Sequence, residues 1–144
     1  MSWPPHITVA TVIQRADKFL MVEEIDADKQ VFNQPAGHLD PNETLFAAAI
    51  RETVEETAWL TRLTGFVGVY HYYSDHNDTT YLRFCFVGEV IEKRDTGLDK
   101  GIVAAHWLTI EDIRAKPLRS PLVLQSIEDA LNQPLLPLDR VKQF

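Results

Sequence analysis

The feature that most constrains the fold is an uninterrupted helical pattern in the first half of the chain. Residues 43–59 contain neither glycine nor proline. Apolar and small side chains recur there at helical spacing in two rows: Leu45, Ala48, Ala49 and Thr53, and Phe46, Ile50, Val54 and Trp59. The pattern predicts a helix over about residues 43–57.

The start of this helix has two candidate caps. Asp40 is the expected N-cap, with Pro41 at the first helical position and Glu43 at the third, which is a capping-box pattern. Asn42 is an alternative cap two residues later.

Strand patterns surround the helix on both sides. Residues 6–13 and 18–24 are rich in β-branched and other apolar residues and predict a hairpin across a short polar break. Residues 66–74 and 79–91 predict a second hairpin, and residues 102–108 a further strand. Hairpins mixed with helices favour a mixed sheet, so we expect an α/β sandwich.

Shorter signals complete the order of elements. Residues 26–29 predict a turn, and a short strand from Gln30 leads into a Pro/Gly loop. Thr109 precedes a helix start, and Ser120-Pro121 predicts a last helix with a cap and proline at its first position. The tail, residues 134–144, is expected to be extended along the surface. We expect residues 1–144 to form a single domain, since this length suits one core.

Charge and composition limit the classes of partner that the protein is expected to bind. The formal net charge is −7 and the pI is near 5.1, with no run of Lys or Arg. This balance argues against a nucleic-acid partner or an anionic membrane. An acidic protein that handles a polyphosphate needs a metal ion between itself and its substrate.

The single cysteine and the chain ends narrow the location. Cys85 alone excludes a disulfide framework and a cysteine-based zinc site, and its apolar neighbours predict a packed strand residue. The N-terminus lacks the pattern of a signal peptide, and no apolar run is long enough for a membrane helix. A cytoplasmic location is therefore expected.

The predicted helix carries three acids on one face. Glu52, Glu55 and Glu56 stand at i, i+3 and i+4, where like charges repel. They also lie near the C-terminal end, where the helix dipole disfavours anions. A divalent cation reverses this penalty, and Mg²⁺ prefers carboxylates, waters and substrate phosphates as ligands. The face is therefore either a solvated surface or a metal site.

The wider spacing favours the metal site. Gly37, Glu43, Arg51-Glu52 and Glu55-Glu56 are spaced as in the Nudix box, the loop–helix–loop catalytic motif of hydrolases that act on nucleoside diphosphates linked to another group. The order of strands also resembles the Nudix α/β/α sandwich with a mixed β-sheet. Ala58 stands where the box usually ends in glycine, which implies strain or a different helix end.

The resemblance implies roles for the acids of the box. Glu55 and Glu56 would bind a metal ion together with the carbonyl of Gly37. Glu52 would be a further ligand or the base that activates water. The implied cofactor is Mg²⁺, with Mn²⁺ as a possible substitute.

The resemblance also implies supporting roles around these acids. Arg51 would be one of the catalytic residues, and it would pair with Glu43 and orient the helix. A carboxylate outside the box often assists, and Asp99 is the candidate. Thr53 departs from the box, which has an aliphatic residue there.

Further segments resemble one bacterial Nudix subfamily. These are FNQPAGHLD, YLRFCF and LRSPLV, and the subfamily comprises phosphatases acting on nucleoside tri- and diphosphates and on hydroxymethylpyrimidine pyrophosphate. By analogy, Arg83 and Arg119 would contact phosphate, and Asn33 and Gln34 would meet the substrate. The alternatives are an Arg83 that points to solvent and an Arg119 that only caps a helix.

Tyr73, with its neighbours His71 and Tyr72, is a candidate for a base-stacking pocket, the alternative being a sheet surface. The expected partner is a small pyrophosphate, with no membrane and no nucleic acid, for a monomer or small homo-oligomer. Two other functions stay open: an RNA 5′-end or dinucleoside polyphosphate pyrophosphohydrolase, and a non-catalytic nucleotide-binding sensor. The presence of Glu52, Glu55 and Glu56 favours catalysis over the sensor.

Overall fold

The computed structural model describes residues 2–144. Seven strands form a mixed sheet there, and three α-helices lie on its two faces. The elements are β1 (Ser2–Arg15), β2 (Lys18–Asp26), β3 (Lys29–Asn33), β4 (Ala36–His38), α1 (Leu45–Thr57), β5 (Trp59–Ser74), β6 (Thr79–Lys93), β7 (Ile102–Thr109), α2 (Ile110–Arg114) and α3 (Leu122–Asn132). A 3-10 turn, Leu138–Arg140, follows α3.

The sheet has the order β3-β2-β1-β6-β5, with β4 on β1 and β7 on β2. Both predicted hairpins are confirmed, because β1 pairs antiparallel with β2 and β5 with β6. The two are joined by a parallel ladder between β1 and β6, in which Val9 lies opposite Phe84. This combination of antiparallel and parallel pairs makes the sheet mixed, as expected.

The core has two parts because neighbouring residues of a strand point to opposite faces of the sheet. On one face Val9 and Phe86 pack with Ala48 and Ala49 of α1. On the other face, a larger cluster packs against α2 and α3: Ala10, Val12, Phe19, Met21, Cys85, Ile113, Val123 and Ile127. Cys85 is fully buried there, which confirms its expected role as a packed strand residue.

The helix α1 begins later than the sequence predicts. Its N-cap is Thr44, whose hydroxyl accepts a hydrogen bond from the Ala47 N–H at 3.1 Å, so Asp40 and Asn42 as caps were wrong. Asn42 has a left-handed backbone (φ 64°), which a right-handed helix cannot continue through. One half of the predicted capping box survives, since Glu43 Oε1 accepts from the Asp40 N–H at 3.0 Å.

The starts of the other helices differ less from their predicted positions. Thr109 precedes the start of α2, as predicted, and caps it with a complete capping box. The helix α3 begins at Leu122 with Pro121 at the N-cap position, one residue later than predicted, and the Ser120 hydroxyl accepts from the Leu122 N–H. The tail is only partly extended, because residues 138–140 turn. No helix within residues 2–144 has the length and apolarity that crossing a membrane requires.

The C-terminal end of α1 shows how a chain without the expected glycine closes this helix. Ala58 adopts the left-handed conformation (φ 65°, ψ 9°), and its N–H donates to the Val54 carbonyl at 2.8 Å. The helix therefore ends where the Nudix box predicts, at the cost of strain in a residue with a Cβ.

We expect Ala58→Gly to raise the free energy of unfolding by about 0.5–1 kcal/mol, since glycine adopts this conformation without strain. The effect is limited because the buried Ala58 methyl group is lost. Urea denaturation would measure it. Ala47→Gly, at an exposed position in the first turn of α1, is the control for the same substitution at a right-handed residue and should lower stability, by at most about 1 kcal/mol. A loss of stability in both variants would contradict a strained cap.

Candidate active site

Arg51 organises the acids of α1. Its guanidinium donates to both carboxylate oxygens of Glu43, at 2.6 and 2.9 Å, so the pair that the resemblance implies is present and has bidentate geometry. The same group reaches Glu52 at 2.8 Å and Glu55 at 3.1 Å. It also donates to the His38 carbonyl at 3.1 Å, which ties α1 to β4. Hydrogen bonding to Arg51 holds the pKa of Glu43 below its ordinary value.

Glu52 lies under the backbone of β4. A Cβ added to Gly37 would overlap the Glu52 carboxyl group, so only glycine leaves room for this acid. Burial raises the pKa of Glu52, while the hydrogen bond from Arg51 lowers it. The structure thus brings together Gly37 and Glu52, which are distant in sequence.

Glu56 is the most buried acid of the group, with 9% of its surface exposed. Its Oε1 accepts a hydrogen bond from the Ala36 N–H at 2.9 Å, and none of the ion pairs within residues 2–144 includes it. Burial raises the pKa of Glu56 to about 9, with further increases from the charges of Glu24, Glu52 and Asp99. A buried acid without a cation partner is costly unless a ligand supplies the charge.

Asp99 lies at the C-terminal end of α1. Its N–H donates to the Glu55 carbonyl at 2.9 Å, and its negative charge raises the pKa values of Glu52 and Glu56. The loop between β6 and β7 therefore brings this acid to the cluster. Its role as a metal ligand stays a prediction.

The donor set fits a divalent cation. The acids offer the oxygen ligands that Mg²⁺ prefers. Glu56 has no cation partner among residues 2–144, and Gly37 lets the Glu52 carboxyl lie against the backbone of β4. Within residues 2–144, no three acidic, histidine or cysteine side chains yet converge as a metal site. Arg51 instead draws Glu52 and Glu55 to itself.

The structure adds one acid that the sequence analysis missed. Glu24, on β2, is 8% exposed, and its charge reaches Glu56. Its Oε1 accepts from Arg119 Nη1 at 2.7 Å, and Asp26 lies 3.7 Å from Arg119 Nε. The segment before α3 runs beside β3, where the Arg119 N–H donates to the Phe32 carbonyl. Arg119 therefore points to β2 rather than capping α3.

Arg83 is nearly buried on β6, at 5% exposure, so the alternative in which it points to solvent is excluded. Its guanidinium donates to amide oxygens, to Gln34 at 2.8 Å and to Asn33 at 3.4 Å, and its Nε has no partner within residues 2–144. Gln34 is 1% exposed and also donates to the Val123 carbonyl, so it holds Arg83 in place from within the core. Arg83 thus carries a buried cation with no acid paired to it.

A pocket of about 540 Å³ opens beside Arg119. Its principal lining residues are Tyr72, Leu118, Arg119, Leu124, Gln125 and Glu128. The structure places Tyr72 rather than Tyr73 in this pocket, because consecutive strand residues alternate in direction. Tyr73 is 55% exposed and donates to Asp78 at 2.8 Å in the hairpin loop.

A second pocket, of about 450 Å³, is lined by Glu23, Phe32 and His106 among others. Glu23 and Glu24 are consecutive on β2, so their side chains point to opposite faces. The second pocket is therefore on the other face of β2 from the acid cluster. The first pocket is linked to the acid cluster through Arg119, which lines it and donates to Glu24.

The contact between Gly37 and Glu52 makes a testable prediction. Gly37→Ala should lower kcat/KM for pyrophosphate hydrolysis by about tenfold to a hundredfold, because the new methyl group displaces the Glu52 carboxyl from its position. Steady-state kinetics would measure it. Gly97→Ala is the matched control, since a Cβ there meets no atom within 4 Å. Equal activities of the two variants would contradict a functional role for this contact.

Known proteins resemble this chain in sequence and in fold. A family model of the NUDIX domain matches residues 4–126. A curated relative, "Phosphatase NudJ" of Shigella boydii serotype 4 (strain Sb227), is 39% identical over 142 residues, covering 97% of this chain and 92% of the relative. A solved structure, "NUDIX hydrolase from Nitrosomonas europaea", superposes with a TM-score of 0.95 at 45% identity, covering 98% of each chain.

A more distant structure shows the likeness of the fold alone. The NUDIX domain of Shewanella oneidensis NrtR, complexed with ADP ribose, has a TM-score of 0.76 at 19% identity. The alignment covers 90% of this chain and 88% of that one.

Proposed function

The chain belongs to the NUDIX family of hydrolases that act on pyrophosphate bonds, and on this premise we propose that it is a Mg²⁺-dependent hydrolase of small pyrophosphates. The proposed substrates are nucleoside tri- and diphosphates and hydroxymethylpyrimidine pyrophosphate. The observation that supports this most is the position of Arg119, which lines the pocket and is bonded to Glu24 beside the acid cluster.

The acids of α1 hold the metal in this proposal. Glu52, Glu55 and Glu56, with the carbonyl of Gly37 and the carboxylate of Asp99, are the ligands. A bound Mg²⁺ supplies positive charge that offsets the charge developing on the phosphates. Mn²⁺ also accepts oxygen ligands and can replace it.

The attacking water needs a base. Arg51 donates to both Glu52 and Glu55 and so holds in place the two carboxylates that can accept a proton from water. The pair of Arg51 and Glu43 keeps α1 oriented while charge moves. Separate Glu→Gln changes at Glu52 and Glu55, compared by pH–rate profile, would identify the base.

The phosphates of the substrate are bound by arginine. Arg119 stands between the pocket and the acids, so its guanidinium can bind a phosphate whose organic group lies in the pocket. Arg83 lacks an acid partner, and an anion would compensate its buried charge. Asn33 lies beside Arg83, and Gln34 positions it, so Gln34 acts through Arg83 rather than on the substrate.

A panel of substrates tests the proposal. Purified protein is assayed with nucleoside tri- and diphosphates, hydroxymethylpyrimidine pyrophosphate, ADP-ribose and diadenosine polyphosphates, each with Mg²⁺ and with EDTA. Released phosphate and pyrophosphate are measured separately. We expect turnover of the first two groups and none in EDTA. If none of the compounds is hydrolysed with Mg²⁺, the proposed enzymatic activity is refuted. A preference for diadenosine polyphosphates would show that these compounds, rather than the proposed ones, are the substrates.

A further inference from the structure

The pocket that contains Arg119 carries two hydrogen-bond acceptors on one face of α3. Gln125 and Glu128 are three residues apart in the helix, so both side chains project from the same side. The Gln125 amide nitrogen donates to Asp129 Oδ1 at 3.0 Å. The reverse orientation would set two oxygens against each other, so Gln125 keeps its Oε1 acceptor, together with its second N–H, for a ligand.

Glu128 adds the second acceptor. Its nearest cationic partner is Arg114, with Nη2 at 3.9 Å from Glu128 Oε1, beyond ordinary hydrogen-bond length. The carboxylate therefore retains capacity to accept hydrogen bonds. The Glu128 carboxylate and the Gln125 amide oxygen both accept hydrogen bonds from donors of a ligand, and the carboxylate disfavours a carbonyl oxygen.

The remaining walls suit a planar ring. Tyr72 comes from β5, and Leu118 and Leu124 add apolar surface. An aromatic side chain and leucines favour the flat faces of a heterocycle, leaving its polar edge to Gln125 and Glu128. Arg119 fixes the opposite, phosphate-bearing end of the ligand.

We propose that this pocket selects heterocycles that carry an exocyclic amino group over those with only ring carbonyls. This inference rests on the proposed function, because it takes the pocket to hold the organic group of a pyrophosphate substrate. The preferred class comprises guanine, cytosine, adenine and aminopyrimidines. Hypoxanthine lacks the 2-amino donor of guanine, and uracil places a carbonyl oxygen where cytosine has its amino group, so each loses a hydrogen bond to the acceptors.

Two nearly isosteric pairs of nucleotides test the inference. GTP carries one amino group that ITP lacks. CTP has an amino group and a ring nitrogen without hydrogen where UTP has a carbonyl oxygen and a ring N–H. We expect kcat/KM to favour GTP over ITP and CTP over UTP by about tenfold or more. The Glu128→Gln variant, whose amide can turn a donor towards a carbonyl, should reduce each ratio to below about threefold.

The control is Glu111→Gln, an exposed acid on α2 outside the pocket, which should keep the wild-type ratios. Equal kcat/KM within both pairs for the wild type would overturn the inference while leaving the proposed function intact. Loss of activity in Glu128→Gln without any change in the ratios would also overturn it.

A binding measurement tests the inference separately from the proposed function. Dissociation constants of GTP and ITP are measured by calorimetry on the Glu56→Gln variant, which is expected to bind without turning over. Tighter binding of GTP by about tenfold supports the inference even if the wild type hydrolyses no nucleotide, a result that would refute only the proposed function. Equal binding of the two would overturn the inference.

Discussion

Glu56→Gln is expected to lower kcat/KM for a nucleoside triphosphate by about a thousandfold or more. The change removes the charge of the most buried acid in the cluster but keeps the shape of the side chain. Glutamine Oε1 can still accept the hydrogen bond that the Ala36 N–H gives to Glu56. The fold should therefore be preserved, and the loss should come from a metal ligand that no longer carries charge.

Steady-state kinetics over a range of Mg²⁺ concentrations would measure this loss. Glu111→Gln makes the same chemical change on an exposed helix and should retain wild-type activity. Circular dichroism of both variants establishes that the fold is kept. Activity of Glu56→Gln within about tenfold of wild type would contradict the assignment of Glu56 as a ligand.

The same variant should be more stable than wild type in EDTA. Burial raises the pKa of Glu56 from 4.5 to about 9, so the folded state holds this proton more tightly than the unfolded state does. The stabilisation from the protonated acid is complete below pH 4.5 and is lost as the pH rises towards 9. At pH 8, glutamine should therefore raise the free energy of unfolding by roughly 1–3 kcal/mol. Urea denaturation in EDTA at pH 6 and pH 8 would show whether the gain grows with pH.

Arg51→Ala should weaken both stability and catalysis. It removes hydrogen bonds to Glu43, Glu52 and Glu55 and to the His38 carbonyl, and it leaves these acids without a cation. We expect the free energy of unfolding to fall by about 2–3 kcal/mol. We expect kcat/KM to fall by about tenfold to a hundredfold, because Arg51 positions the acids without itself touching the substrate.

Thermal denaturation and kinetics on the same preparations would measure these effects. Arg62→Ala is the matched control, since Arg62 pairs with Glu89 on an exposed part of the sheet. Loss of such a pair changes stability by less than about 1 kcal/mol. Arg51→Lys keeps the charge but not the planar fork, and its activity should lie between wild type and Arg51→Ala. Equal stabilities of Arg51→Ala and Arg62→Ala would show that the network contributes little.

The sequence predicted the elements well where local pattern controls them. The two hairpins, the helix α1 and the helix start after Thr109 follow from periodicity and turn residues, which act over a few positions. The ion pair of Arg51 and Glu43 was also predictable, because the resemblance to the Nudix box implies it.

Contacts that the backbone makes across the fold were not predictable. The cap at Thr44 depends on the left-handed turn at Asn42, which no local pattern distinguishes from an earlier helix start. Glu24 is one of two adjacent glutamates on β2, and only the packing decides which of them faces Glu56. For the same reason, the sequence could not separate Tyr72 from Tyr73, which differ only in the face of β5 that they occupy.

The parallel ladder between β1 and β6 has a consequence for folding. Residues 6–13 pair with residues 81–88, so β1 cannot form this ladder until β6 has been made, and β6 lies more than half of the chain length further along the sequence. Closing so long a loop costs entropy before the ladder repays it, which places the chain among slower folders than helical proteins of its size. During synthesis α1 emerges before β6, and Arg119 emerges after both. The acids of the helix are therefore made before Arg83 and Arg119, and the proposed phosphate-binding part of the site is completed last.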